Sequence, residues 1–432
     1  MRILILGSGG REHALAWACR QSPRVEKIWC APGNGGIALD AECVPANLND
    51  VAATADLAEK LAADLTIVGP EMPLVSGIAD EFARRGRVIL GPSKQAAQLE
   101  GSKIFAKEFM RRHGVPTADG RGTFKNKSDA IAALRAVEWP LVIKADGLCA
   151  GKGVLVASEA GEAAEFVERL FDGGDFGEAG KRVLYEQALE GEELSYIILT
   201  DGENFISLAP TRDHKRAFDG DRGPNTGGMG TYSTDEIMSG GLKIEIEETI
   251  VRPTLAGLRK DGMPYHGFIF FGLMLTKSGP KVLEYNCRLG DPETQSILLR
   301  ANFDFAQACL DAASGKLTDS KAKWFSGASA SVVIASEGYP ASPVIGRKIT
   351  GLDDASKVPG VVVFHSGTKR DGTDYYSSGG RVLGVTARGE SLAEATDRAY
   401  EAASRIGLEG SHYRRDIGRV KPAERMVEKA RG

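Results

Sequence analysis

Short apolar runs alternate with helically spaced apolar positions along the first hundred residues. Ile3–Leu6 is an apolar run that stops at Gly7, and Arg11–Arg20 then carries Ala14, Leu15 and Ala18 on one helical face. Ile28–Ala31 reads as a second strand. Asp50 is placed to cap a helix over Val51–Ala63. Leu65–Val68 runs into Gly69-Pro70-Glu71, and Val88–Leu90 runs into Gly91-Pro92-Ser93. Strands alternating with helices predict a doubly wound parallel sheet, whose ligands gather at the carboxyl ends of its strands. Those ends are Gly7–Gly10, Gly69–Glu71 and Gly91–Ser93.

Beyond a helix over Gly101–His113 the pattern changes to α+β. Leu141–Lys144, Val154–Val156 and Val183–Glu186 read as strands around a helix over Ala163–Leu170. Leu194–Leu199, Phe268–Leu275 and Val282–Tyr285 are longer strands of a second unit. The polar stretch Ser314–Lys323 reads as a linker. Ser331–Ala335, Val361–His365 and Arg381–Thr386 then give a β-rich end, with a helix over Leu392–Ile406. The fold class is therefore α/β and α+β, in several domains.

Composition narrows the function. A chain of 432 residues, 42% hydrophobic and 26% charged, is ordinary globular usage. Its net charge of −4 offers no basic excess for a polyphosphate backbone, so no nucleic-acid partner is expected. Four apolar residues before the first glycines are too few for a signal segment, and no later run approaches a membrane span. Glycine is abundant, 53 residues, which points to glycine-built loops. The six cysteines (Cys19, Cys30, Cys43, Cys149, Cys287, Cys309) are scattered without a CxxC pair, as expected in a reducing cytoplasm.

Four stretches carry candidate chemistry. Gly7-Ser8-Gly9-Gly10-Arg11-Glu12 joins a strand to a helix start, where free N–H groups and the helix dipole favour an anion. The third glycine of a dinucleotide fingerprint is replaced by Glu12, so a phosphate on a small substrate fits better than a nicotinamide cofactor. At Val142–Val154 an apolar strand delivers Lys144 to a loop containing Gly147, Gly151 and Gly153. That arrangement holds nucleotide phosphates by a point charge and close backbone approach. In the third stretch, the backbone at Glu186, Gln187, Ala188 and Leu189 is placed to pair with an adenine edge, and Glu193 to accept ribose hydroxyls. In the fourth, Glu284, Asn286 and Arg288 alternate along a strand and share one face. A carboxylate and an amide oxygen suit a hard cation bridging phosphates, and the arginine suits substrate anions. Between them, Thr211–Arg216 and Gly223–Gly230 are expected to form a water-excluding lid.

Read in order, GSGGREHA, VGPEMPL, GSKIFAKEFM, VIKADGLCAGKGV, EQALEGEELS, RDHKR, GPNTGGMG, EYNCRLGDPETQ and GGRVLGVTA span nearly the whole chain. The set resembles the ATP-grasp superfamily and, within it, the glycinamide ribonucleotide synthetases of purine biosynthesis. The resemblance implies a substrate domain (1–102), a connection (103–120), a small lid lobe (121–190), a large lobe (191–324) and a C-terminal domain (325–432). It implies ATP-dependent joining of glycine to 5-phosphoribosylamine through glycyl phosphate, with Mg²⁺ or Mn²⁺, in the cytoplasm. The protein would act as a monomer or weak homo-oligomer with no membrane partner. By the same likeness Lys103 joins Lys144 at the phosphates, and Glu284 and Asn286 are the metal ligands. Gly9, Gly10, Arg11, Glu12, Gly69, Pro70 and Glu71 line the phosphoribosyl site, and Asp213, Lys215, Arg288 and Asp291 lie at the substrates. Lys144, Asp213 and Arg288 would take part in the chemistry. Gly272 stands where many members of the superfamily carry a further metal-binding carboxylate. Two other readings remain open: a different carboxylate–amine ligase of the superfamily, such as a carboxyaminoimidazole ribonucleotide synthetase, and a non-catalytic ATP-binding regulator.

Overall fold

The computed structural model describes residues 1–419 apart from 150, 151, 173, 175, 239 and 319–321. Its first sheet is parallel and five-stranded, in the order β3-β2-β1-β4-β5, from β1 (Arg2–Gly7), β2 (Lys27–Pro32), β3 (Glu42–Cys43), β4 (Leu65–Val68) and β5 (Ile89–Leu90). Ile3, Leu4, Ile5 and Leu6 are all fully buried, because helices cover both faces of this sheet. Helix α1 (Gly10–Arg20) follows β1, and α2 (Val51–Lys60) is capped by Asp50, whose carboxylate accepts the Ala53 N–H at 2.9 Å. Three short helices, α3 (Glu71–Ser76), α4 (Ile78–Arg84) and α5 (Gln98–Gly101), lead to α6 (Lys103–His113), which Ser102 caps.

The turns after β1 and β4 close around one side chain. Gly9 N–H donates to Glu12 Oε2 at 2.6 Å, and Arg11 Nε donates to Glu12 Oε1 at 2.5 Å, so Glu12 is a carboxylate three residues into its own helix, serving that helix start. A methyl group on Gly69 would lie 1.9 Å from Glu12 Oε1 and 2.5 Å from Cδ, which explains a glycine at the end of β4. Gly69→Ala is therefore expected to lower stability by about 1–3 kcal/mol, since buried Glu12 has no free space to retreat into. A fall in apparent melting temperature checks this, and an unchanged melt would contradict the packing.

The next unit is a four-stranded antiparallel sheet, β6-β9-β7-β8 in spatial order, from β6 (Gly120–Phe124), β7 (Leu141–Ala145), β8 (Val154–Ala157) and β9 (Val183–Gln187). The helix Ala160–Asp172 buries Ala163, Phe166, Val167 and Leu170 in the same core as Ile143 and Tyr185. A second antiparallel sheet, β11-β10-β16-β17, contains β10 (Glu192–Thr200), β11 (Phe205–Ser207), β16 (Gly267–Thr276) and β17 (Gly279–Asn286). Its last pair is irregular: Leu273 opposes Val282 but Gly272 opposes Glu284, leaving Leu283 as the extra residue of a bulge.

A five-stranded sheet draws on both sides of residue 325. The strands β12 (Arg212–Asp213) and β15 (Gly230–Thr234) pair in one sheet with Ala328–Ala335, Arg381–Gly389 and Val361–His365. The helix Leu392–Ser404 packs on it, and the strand Lys348–Thr350 belongs to a small separate sheet. Thr211–Arg216 and Gly223–Gly230 are thus not a free flap, contrary to the expected lid. Asp213 sits in β12, and β13 (Arg216–Phe218) and β14 (Arg222–Asn225) form a two-stranded ribbon. The six cysteines are all free, and no helix among the described residues is long and apolar enough to cross a membrane.

Candidate active site

Strand β7 delivers Lys144 into the space between the two antiparallel sheets. Its Nζ lies 2.5 Å from Glu186 Oε2 and donates to the carbonyl of Leu283, the bulged residue of β17, at 2.9 Å. Lysine and glutamate are only 9% and 3% exposed, so the pair is buried. The other oxygen of Glu186 meets Lys107 of α6, whose ammonium also donates to Thr117 Oγ1 (2.8 Å) and the Ala118 carbonyl (2.7 Å). Burial pushes the Lys107 ammonium below the usual lysine range, with Glu186 opposing. Sequence reading assigned Glu186 a backbone role. Here its carboxylate sets the position of Lys144, and Lys107, which sequence reading passed over, completes the cluster.

Lys103, at the start of α6, donates from Nζ to the Gly147 carbonyl at 2.8 Å. Gly147 and Gly153 flank the glycine loop, whose Gly151 lies outside the described residues. Gln187 spends its N–H on the Asp119 carbonyl at 2.9 Å, and half-buried Leu189 lies in the connection between β9 and β10.

Charge converges on β17. Burial pushes the Glu284 carboxyl up, but Lys215, Lys103, Lys144 and Arg288 outweigh it and hold the group below the usual carboxylate range. Asn286 lies two residues on along the same strand face. Gly272 is opposite Glu284, so the facing strand supplies no second carboxylate there. Arg288 lies just beyond the end of β17. Its Nε donates to Glu71 Oε2 (3.2 Å), Nη1 to the Leu289 carbonyl (3.3 Å), and Nη2 contacts Glu100 Oε1 (2.8 Å). Glu71, expected at the phosphoribosyl turn beside Pro70, thus faces Arg288, and burial is outweighed by Arg288 and Arg11 to hold its carboxyl below the ordinary range.

On the far side, Lys215 lies 3.2 Å from exposed Glu193, whose charge raises the ammonium above its ordinary range against the effect of burial. Burial and the nearby Glu293 push the Asp213 carboxyl well above its ordinary value, against Lys215 and Arg381. Asp213 Oδ1 is buried without a hydrogen-bond partner among the described residues. Glu293 accepts from Ser195 Oγ at 3.1 Å. Gly228, at φ +111°, leaves room for Asp213, since a methyl group there would lie 2.8 Å from Oδ1.

The helix start after β1 belongs to the same region. Arg11 donates through Nη1 to the Leu289 carbonyl (3.1 Å), and its N–H faces Asp291 Oδ2 (3.4 Å). The N–H groups of Gly9 and Arg11, expected to be free for an anion, therefore already carry carboxylate partners. Burial pushes the Asp291 carboxyl up, but Arg381 and Arg11 outweigh it and hold the group below its usual range. Arg381 donates from Nη1 to the Asp291 carbonyl (2.6 Å) and the Gly227 carbonyl (2.7 Å). It too was missed, although its GGRVLGVTA stretch had been noted. A separate cavity of about 520 Å³, lined in part by Trp17, Phe303, Phe325 and Arg388, shares no residue with this site.

A strand lysine, a glycine loop and a carboxylate strand, held between two antiparallel sheets, define a nucleotide-clasping ligase of the ATP-grasp class. Comparison with known proteins narrows this. Residues 1–100, 101–294 and 329–420 match the N, ATP-grasp (A) and C domains of phosphoribosylglycinamide synthetase. The chain is 47% identical over 421 residues to phosphoribosylamine–glycine ligase of Vibrio vulnificus, covering 97% of this chain and 98% of that protein. It is 48% identical to the Allochromatium vinosum protein of the same name, over 97% of this chain and 98% of that one. The crystal structure of the Thermotoga maritima phosphoribosylamine–glycine ligase superposes with a TM-score of 0.84 at 36% identity, covering 96% of this chain and all of that one. Biotin carboxylase of Campylobacter jejuni shares the fold alone, at 16% identity and a TM-score of 0.74, over 95% of this chain and 92% of that one. The chain belongs to the phosphoribosylglycinamide synthetase family.

Proposed function

We propose that this protein joins glycine to 5-phosphoribosylamine at the expense of ATP, giving glycinamide ribonucleotide, ADP and phosphate. The observation that carries the reading is the convergence of Lys103, Lys144, Lys215 and Arg288 on an ionised Glu284. A carboxylate does not accept an amine at neutral pH, because oxide is a poor leaving group. In the first step a glycine carboxylate oxygen attacks the terminal phosphorus of ATP, the bond to the bridging oxygen breaks, and ADP leaves. The ribosyl amine then attacks the carbonyl of glycyl phosphate, loses a proton, and expels phosphate. Such transfers are accelerated mainly by positioning and charge neutralisation.

In this reading Lys103 and Lys144 hold the phosphates under the Gly147–Gly153 loop. Glu186, Gln187 and Leu189 border the adenine, and Glu193 takes the ribose. Glu284 and Asn286 offer an ionised carboxylate and an amide oxygen, the donor set of a hard divalent cation, and they would hold Mg²⁺ or Mn²⁺. When bound, such an ion neutralises phosphate charge. Arg288, Asp213, Lys215 and Asp291 hold the substrates around the reacting carboxyl group. The phosphoribosyl group lies toward Gly9–Glu12 and Gly69–Glu71, in the cytoplasmic enzyme acting as a monomer or weak homo-oligomer.

Release of phosphate is measured with ATP, glycine and freshly generated phosphoribosylamine, omitting each in turn. Dependence on all three supports the reading. Release that follows bicarbonate instead of glycine would point to the carboxyaminoimidazole ribonucleotide type of ligase. Arg381→Leu removes a charged donor to the Asp291 and Gly227 carbonyls. It is expected to raise the KM for phosphoribosylamine by roughly 10-fold, with the KM for ATP little changed. An effect on ATP alone would move Arg381 away from the amine-substrate side.

A further inference from the structure

Glu100 is a buried carboxylate with an unusual pair of partners. Its side chain is 5% exposed, and it lies in the four-residue α5. Oε2 accepts the Cys287 N–H at 2.7 Å, and Oε1 lies 2.8 Å from Arg288 Nη2. Both partners belong to the segment just after Asn286. A carboxylate is costly to bury unless its oxygens are paired, so these two contacts are the reason it can be there. Three residues further along, Lys103 reaches the glycine loop through Gly147. The stretch 100–103 thus grips the arginine beyond the carboxylate strand and the loop above the phosphates at once.

Arg288 has a fixed partner at each guanidinium nitrogen: Glu71 at Nε, the Leu289 carbonyl at Nη1 and Glu100 at Nη2. Of the two acids, Glu71 is the looser, at 3.2 Å and 28% exposed. Glu100 is closer and more buried, and it also anchors the backbone one residue before the arginine. We propose that Glu100 is a positioning residue for the ligation: it fixes the plane of the Arg288 guanidinium so that its remaining N–H groups face the substrates. This rests on the assignment of Arg288 to the substrates made above.

The test is a double-mutant cycle on phosphate release, with melting temperatures measured alongside. E100Q keeps the size and an acceptor for the Cys287 N–H but removes the charge. It is expected to lower kcat roughly 10- to 100-fold, the scale of a misplaced reacting-site group, with the KM for ATP within about twofold. R288K discards the fork and should also lose turnover. Adding E100Q to R288K should then cost less than about threefold, because the group that Glu100 positions is already gone. E100D, one methylene shorter but still charged, should fall between E100Q and the wild type, and it replaces E100Q in the cycle if the neutral variant does not fold. Turnover of E100Q within twofold of the wild type, or full additivity with R288K, overturns the proposal. An R288K enzyme with undiminished turnover would instead remove the assignment of Arg288 on which it rests.

Discussion

Lys144→Ala is expected to lower kcat/KM for ATP-dependent ligation by roughly 10³-fold, the scale for loss of one preorganised charged donor at a centre of developing charge. The structure says why no neighbour substitutes. Lys107 is held by the Thr117 hydroxyl and the Ala118 carbonyl, and Lys103 is committed to the Gly147 carbonyl. The lost ammonium also bridges two sheets, from β7 to the bulge carbonyl of β17. Removing it leaves Glu186 with Lys107 alone, so some stability goes with the activity. The two effects separate in Lys144→Arg, which keeps a cation beside Glu186 but replaces a compact ammonium with a planar fork. That variant should melt near the wild type and remain impaired in turnover. Full activity in Lys144→Ala, with normal ATP saturation, would remove the phosphate-binding role of this lysine.

The periodicity of the chain located most strands because burial imposes it. Ile3–Leu6 and Leu65–Val68 read as strands, and they are buried on both faces of the parallel sheet. What it did not reveal was pairing over long separations. Nothing local in Arg212–Asp213 or Gly230–Thr234 shows that they share a sheet with a strand about a hundred residues further on, because the hydrogen bonds that define a sheet leave no mark on sequence spacing. The site was legible in its own loops and obscured where partners arrive from elsewhere. Lys107 stands four residues after Lys103 on a helix, which by itself reads as a solvated face. Only the fold brings it to Glu186. Glu12 has a local signal as an acid at the third position of a helix, but it reads as a missing glycine and, by likeness, as a phosphoribosyl-site residue, not as the carboxylate that serves its own helix start. Arg288 reads as continuing the strand alternation of Glu284 and Asn286, but the strand ends at Asn286, and the anchors of Arg288, Glu71 and Glu100, come from the first hundred residues.

Glu284 carries the second large effect. Four cations, Lys215, Lys103, Lys144 and Arg288, hold its carboxyl below the usual range in spite of burial, so the group is a carboxylate throughout the neutral range. It is also the one acid at its position across the strand pair, since Gly272 opposes it. Glu284→Gln retains shape and an oxygen but removes the charge, leaving an amide beside Asn286. The expected result is a loss of several kcal/mol of transition-state stabilisation, about 10³-fold in kcat/KM, with the divalent-ion concentration for half-maximal activity shifted upward. Stability should fall as well, because a carboxyl held below its usual range is net stabilising and its neutralisation leaves four cations with one fewer counter-charge. Titration of activity against Mg²⁺ and against Mn²⁺ in the wild type and the variant separates the possibilities. A wild-type ion dependence with reduced turnover would make Glu284 an electrostatic partner of the lysines and not an ion ligand, and unchanged turnover with unchanged ion dependence would remove it from the reaction altogether.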